Sequence, residues 1–331
     1  MKSIRFSLLW AGLLAVTSAL HVSSASAEPP SAYPQRPVKL VVAYSPGGIF
    51  DIFGRALAQR LTEVWKQSVV VENRPGASEI IGAQTVATAA PDGYTLFVSS
   101  ETALQTNPLL YAKLPYAPMR DFAPIIRIAE GTRVLVVRQD SAIKSLQNLE
   151  DAARKAPGRL TYGTSGVGTP VHILQNWFGL QTGTQYNHIP YKGTIQTVQD
   201  LVGGQLDFTW APLPLVDAFI KNGRLRPIAV TGRARMAALP DVPTLTELGH
   251  PDMDMNLMIS LVAPARTPPD IIATIARDVR AVLRDTRFEQ QVTQANAFTT
   301  VADTPEEFAA SLKDEAPSFR EKVQALNVRL D

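Results

Sequence analysis

The chain has 331 residues, 32 basic against 30 acidic side chains, and no cysteine. The near balance of charge, with no basic run interleaved with aromatics, leaves nucleic-acid binding without support. The lack of cysteine excludes disulfides, thiolate metal sites and cysteine nucleophiles, so the fold must rest on its core, which a chain this long can build as two domains.

The first residues read as an export signal. Lys2 and Arg5 precede the apolar run Phe6–Leu20, and Ala25-Ser26-Ala27 supplies a small-x-small cleavage pattern before Glu28. The run is short of the roughly 20 apolar residues that a membrane span needs, and no later run is longer. Cleavage after Ala27 is expected to leave a near-neutral, soluble protein in the periplasm. No cysteine near that site is available for a lipid.

Val38–Tyr44 (VKLVVAY) is a β-branched apolar run, the mark of a buried strand. Ser45-Pro46-Gly47-Gly48 breaks it, and Ile49, Phe53, Leu57, Leu61 and Trp65 then recur at helical spacing. Val69–Glu72 reads as a strand, Glu79–Ala89 as a helix, and Tyr94–Ser99 as a further strand. A second set starts after Pro124. Strands are expected at Val134–Arg138, Leu160–Gly163, Tyr186–Tyr191, Leu206–Trp210 and Arg226–Thr231. Helices fall between them, one capped by Ser145, one from about Thr169, and others at Ile195–Val202 and Leu215–Lys221. Met258–Ala263 is a late, isolated strand before a helical tail, whose last helix opens on Thr304, Pro305 and Glu307, a capping box.

Strand–helix alternation with short connections predicts an α/β fold of mainly parallel sheets flanked by helices. The late strand suggests that the chain leaves a first lobe near Ile125–Glu130 and returns through Met258–Ala263, which makes a hinge of two crossing segments. The expected division is 28–128 plus 258–331 for lobe one and 129–257 for lobe two. A single, wider doubly wound sheet fits the pattern about as well.

Two strand-to-helix loops can carry a ligand. Tyr44–Asp51 (YSPGGIFD) has glycines that admit close approach, and a helix start whose free N–H groups favour negative charge. It is neither a dinucleotide fingerprint nor a P-loop. Tyr162–Pro170 (YGTSGVGTP) offers the hydroxyls of Thr164, Ser165 and Thr169 at a second helix start. Each loop alone is equally well read as a turn or a capped helix. Facing each other across a cleft, the two can hold a dicarboxylate at both ends. Catalysis has no assembled machinery: the histidines after the leader are His172, His188 and His250, G-x-S-x-G is absent, and no metal-ligand spacing occurs. No enzyme activity, cofactor or metal is expected.

Nine segments in order resemble the receptors of the tripartite tricarboxylate transporter family, the Bug or TctC-type periplasmic proteins. They begin with YPQRPVKLVVAYSPGG-x-x-D (Tyr33–Asp51), VVVENRPGA (Val69–Ala77), APDGYTL (Ala90–Leu96) and NPLLYAKLPY (Asn107–Tyr116). They continue through YGTSGVGTPVH (Tyr162–His172), HIPYKGT (His188–Thr194), LVGGQLDF (Leu201–Phe208), GRLRPIAVTG (Gly223–Gly232) and LPDVPTLTELG (Leu239–Gly249). The resemblance implies a two-lobed, type II-like periplasmic binding protein that hinges shut on a small organic anion and works, as a monomer, with membrane permease subunits. It points to Tyr44, Gly47, Gly48, Asp51, Ser99 and Ser100 in lobe one, and to Ser165, Gly168, Thr169 and Lys192 in lobe two. Ala211 stands where many members carry a polar side chain, which favours an aromatic or aliphatic acid over an amino acid. A receptor that reports to a signalling partner fits the same sequence.

Overall fold

The computed structural model describes residues 33–326, apart from 233 and 254, together with Leu330. The expected export signal at 1–27 lies outside the described residues.

The chain runs β1 (Val38–Val42), α1 (Ile49–Trp65), β2 (Val69–Asn73), α2 (Ile80–Ala87) and β3 (Thr95–Ser99). A π-helical turn, Thr102–Thr106, leads into α3 (Asn107–Leu110), α4 (Pro118–Asp121) and the long strand β4 (Phe122–Gly131). Then come β5 (Arg133–Arg138), α5 (Leu146–Lys155), β6 (Thr161–Thr164), α6 (Pro170–Thr182), β7 (Asn187–Pro190), α7 (Thr194–Val202), β8 (Phe208–Pro212), α8 (Leu213–Lys221) and β9 (Leu225–Val230). The chain returns through β10 (Leu257–Pro264), α9 (Pro269–Leu283), α10 (Thr286–Phe288), β11 (Phe298–Thr300) and α11 (Pro305–Ala325).

These strands form two sheets, ordered β11-β4-β10-β3-β1-β2 and β7-β6-β8-β5-β9. Strands linked by helices pair in parallel, as expected: β1 with β2 and β3, and β6 with β7 and β8. Both sheets are nevertheless mixed, because β10 runs antiparallel to β3 and β4, and β5 antiparallel to β8 and β9. The sequence pattern overstates parallel pairing because a strand that carries the chain between lobes enters its sheet without a crossover helix.

Central β1 explains its own composition. Val38, Leu40, Val41 and Val42 are all buried, since helices cover both faces of a strand flanked on both sides. On α1, Phe53, Leu57, Leu61 and Trp65 fall at helical spacing and are buried. The Trp65 indole donates to Asp278 Oδ2 on α9 at 2.7 Å, fastening the two helices.

Strand β4 is the main element that the sequence conceals. Pro124 and Arg127 interrupt its apolar run, so it reads as a linker. It pairs with β10 from Phe122↔Pro264 to Gly131↔Leu257, with register shifts around Ser260–Val262. Pro124 lies opposite Val262 at one of these irregularities, where a missing backbone N–H is tolerated.

The last helix fastens the fold at both ends. Phe308 and Leu312 enter the cluster that contains Phe97 and Phe122, whereas Val323 enters the second-sheet cluster with Leu110 and Phe178. At its start the Thr304 hydroxyl accepts from Glu307 N at 3.1 Å, and the Glu307 carboxylate accepts from Thr304 N at 2.7 Å. Thr304→Ala is therefore expected to cost about 1 kcal/mol, read as a lowered midpoint in urea with unchanged slope.

Candidate functional site

Between the sheets lies a cavity of about 310 Å³ onto which four helix starts open. Gly48, Ile49 and Phe50 bring the start of α1, and Thr169, Pro170 and Val171 that of α6. Gly193, Thr194 and Ile195 bring the start of α7, and Pro212 precedes α8. None of these four helices has a side chain capping its first amides. Unpaired N–H groups at a helix start, with the dipole behind them, favour negative charge.

The first loop is shaped by Gly47, at φ +82°, whereas Gly48 is ordinary extended backbone at φ −77°. Asp51 holds the turn from behind: Oδ2 accepts from Gly47 N and Arg55 Nε, both at 2.9 Å, and Oδ1 from Asn73 Nδ2 at 2.9 Å. Burial alone would raise the Asp51 carboxyl, but these hydrogen bonds outweigh it and hold it below the usual carboxylate range. Tyr44 and Phe50 stack with ring centres 4.3 Å apart and wall the cavity together.

The second loop folds on itself. Thr164 Oγ1 and Thr169 Oγ1 both donate to Gly166 O, at 2.9 and 2.8 Å. Behind it, His172 Nδ1 accepts from Gly168 N at 3.1 Å, and His188 Nε2 lies 2.7 Å from the Thr164 hydroxyl. The two imidazoles stack at 4.1 Å. Burial pushes His172 down to about 4, and burial together with the neighbouring His172 pushes His188 down to about 3. Both are neutral structural supports at neutral pH. Ser78 Oγ donates to Val167 O at 2.9 Å, joining the first lobe to this loop.

The back wall is charged and self-neutralising. Arg133 Nη2 lies 2.7 Å from Glu101 Oε1, both side chains being almost fully buried. Arg133 Nη1 also donates to Met255 O, and Met258 N donates to Glu101 Oε2 at 3.1 Å. These two are the charged side chains among the described residues that line the cavity. A larger cavity, about 1220 Å³, meets the first at Glu101, and ion-paired side chains such as Arg127 and Arg235 wall it.

Of the residues singled out from sequence, Tyr44, Gly48, Ser165 and Thr169 line the smaller cavity. Gly47 and Gly168 sit one step back and supply positive φ to the loops, +82° and +76°. Ser99 faces Ser260, their hydroxyls 2.9 Å apart, and Ser100 donates to Glu79. Lys192 is exposed and contributes no wall. Ala211 is fully buried in the apolar cluster with Val134 and Val198, because strand alternation turns Trp210 and Pro212 to the cavity and Ala211 to the core. The absence of a polar side chain at 211 therefore does not alter the cavity wall. Sequence reasoning missed Phe50, Arg133, Gln196, Gln199, Leu215 and Leu257. Arg133 carried a signal, since a charge that opens the apolar strand RVLVVR has to find a buried partner.

Comparison with known proteins agrees with this architecture. The family model described as tripartite tricarboxylate transporter family receptor matches residues 53–327. Protein BugT of Bordetella pertussis is 33% identical over 321 residues, covering 96% of this chain and 98% of that protein. An R. palustris protein determined with adipate superposes with a TM-score of 0.85 at 30% identity, over 90% of this chain and 99% of its own. MatC from Rhodopseudomonas palustris, determined with malate, gives 0.82 at 25% identity, over 88% and 100%.

Two outcomes follow from the wall and the second loop. Arg133→Met leaves Glu101 buried without a cation, and is expected to cost about 3–5 kcal/mol in chemical denaturation. Replacing Glu101 by Leu as well should recover most of that loss. The histidines act through pH. Their folded pKa values lie below 6.5, so the unfolded chain takes up protons first, and stability falls as pH drops from 6.5 towards 4. Melting temperatures at pH 7 and pH 5 should show that fall, and His188→Gln should lessen it.

Proposed function

We propose, from the premise that this chain belongs to the tripartite tricarboxylate transporter receptor family, that it captures a small dicarboxylate between its lobes for membrane permease subunits. The observation that carries the reading is the convergence of four uncapped helix starts on a cavity whose only lining charges among the described residues, Glu101 and Arg133, cancel each other. Such a wall holds an anion with amide dipoles and neutral donors, and needs no counter-cation. Two of the starts, α1 and α6, belong to different sheets, so a carboxylate at each end of one ligand ties the lobes together. A volume near 310 Å³ suits a small molecule. The ligands in the titles of two structural neighbours, adipate and malate, are small dicarboxylates. Export by a leader that ends at Ala27 completes the reading, with Glu28 as the first residue of the periplasmic protein.

A thermal-shift panel of mono- and dicarboxylates that includes adipate and malate tests the reading. A ligand at about 100 times its Kd adds about 2.7 kcal/mol of stability, which is readily seen. Dicarboxylates are expected to outperform monocarboxylates of equal length. Gly48→Val separates site from fold: a Cβ there meets nothing closer than Ser45 O at 3.5 Å, and φ is negative, so the variant folds. Its side chain projects at the α1 start, and binding should be lost. No stabilisation by any acid of the panel would contradict the proposal, as would wild-type affinity in Gly48→Val.

A further inference from the structure

Three successive residues before α2, none of them glycine, are in the left-handed region: Ala77 at φ 46°, Ser78 at 50° and Glu79 at 72°. Side chains adopt this backbone at a cost, and a run of three needs strong anchoring. Two hydrogen bonds and one buried side chain anchor this run. Asn107 Nδ2 donates to Ser78 O at 2.8 Å, Ser78 Oγ donates to Val167 O, and the Glu79 side chain is driven into the interior behind the cavity wall.

There the Glu79 carboxyl meets an unusual set of partners. Oε1 receives the hydroxyls of Tyr44 and Ser100, while Oε2 is buried with no hydrogen-bond partner. No cation faces it. The ionisable groups around it are Tyr44 after β1, Glu101 after β3 and Tyr116 before α4, and the nearby Arg133 of β5 is already paired with Glu101. Burial pushes the Glu79 carboxyl up to about 7; the bonds from Ser100 and Tyr44 pull it down only in part, and the charge of Glu101 raises it further.

We infer that Glu79 sets the hydrogen-bonding polarity of the cavity through Tyr44, so that a carboxylate bound at the Tyr44 hydroxyl takes up one proton at Glu79. A phenol has a single proton to donate. When Glu79 is ionised, Tyr44 and Ser100 both spend their protons on Oε1, and Tyr44 shows the cavity only an oxygen lone pair, which repels a carboxylate. When Glu79 is protonated, its own O–H is donated to the Tyr44 oxygen, and the phenol proton is free to turn to the ligand. Glu79 touches no ligand itself; it is a positioning residue, and the inference rests on the reading of the cavity as a carboxylate site.

The sign follows from linkage. If only the protonated form presents the donor, the competent fraction falls as pH rises through 7, and apparent affinity falls with it, about tenfold between pH 6 and pH 8. Titration calorimetry of the exported protein with adipate, at both pH values and in two buffers of different ionisation enthalpy, reads this directly. The wild type should bind about tenfold more weakly at pH 8 and take up about one proton per adipate there. Glu79→Gln, whose amide mimics the neutral acid, should bind equally at both pH values with no uptake. Tyr44→Phe keeps the acid and removes the relay, so it should bind more weakly at pH 6 and lose the pH dependence. Adipate affinity that is the same at both pH values in the wild type, or an unchanged pH dependence in Glu79→Gln, overturns the inference and leaves the carboxylate site standing. Failure of the wild type to bind adipate, malate or any acid of the panel overturns the reading beneath it. A ligand-free arm is independent of both. The melting-temperature advantage of Glu79→Gln over wild type should grow from pH 6 to pH 8, as the buried acid is forced to ionise, and a constant difference refutes a proton-bearing Glu79.

Discussion

The buried pair of Glu101 and Arg133 is the joint on which the rest of the architecture depends. Glu101 follows β3 of the first sheet, and Arg133 opens β5 of the second. Their 2.7 Å contact sits where β4 gives way to β5, and its outer bonds reach Met255 and Met258 on the returning segment. Both inter-lobe connections are thereby tied to one charge pair. Removal of two charges from water is expensive, and an apolar pair of similar volume would often be as stable. What the pair adds is direction: these three polar contacts fix how one sheet meets the other, and hence where the helix starts face.

Under the proposed function, that fixed orientation lets the cavity hold an anion without offering it a cation. With Arg133 committed to Glu101 and Lys192 out in solvent, the groups left to meet a ligand in the cavity are the starts of α1, α6, α7 and α8 and neutral side chains. Dipoles of the backbone cannot titrate or swing away, so the wall stays prepared for an anion at any pH at which the protein folds. Proton linkage then enters only through the neutral donors, and Glu79 beside Tyr44 is the place where it does. The strained run Ala77–Glu79 aims Ser78 at Val167 of the second loop and Glu79 at the core.

Much of the fold was legible because local signals agreed with the final structure. Helix α1 shows its buried stripe openly, Ser145 caps α5 by accepting from Asn148 N, and Thr304 with Glu307 announces α11. The loops that carry the α1 and α6 starts were visible as glycine-rich breaks between a strand and a helix. What stayed hidden depends on distant partners. Strand β4 looks like a linker because its proline sits at an irregularity made by β10. The inward turn of Glu79 follows from positive φ values that no propensity would assign to Ala-Ser-Glu. Ala211 and Trp210 differ only in which face of β8 they take, and that depends on register with β5 and β6. Gln196, Gln199, Leu215 and Leu257 reach the cavity only once the sheets are brought together.

In the proposed complex one small dicarboxylate is held between helix starts of both lobes. A crystal structure of the exported protein with adipate tests it most directly. One carboxylate should lie within hydrogen-bond distance of amides in the Gly48–Phe50 start of α1, and the other at the Ser165–Thr169 loop. Adipate seated instead in the larger cavity bounded by Arg127 and Arg235, or held by a single lobe, would contradict it.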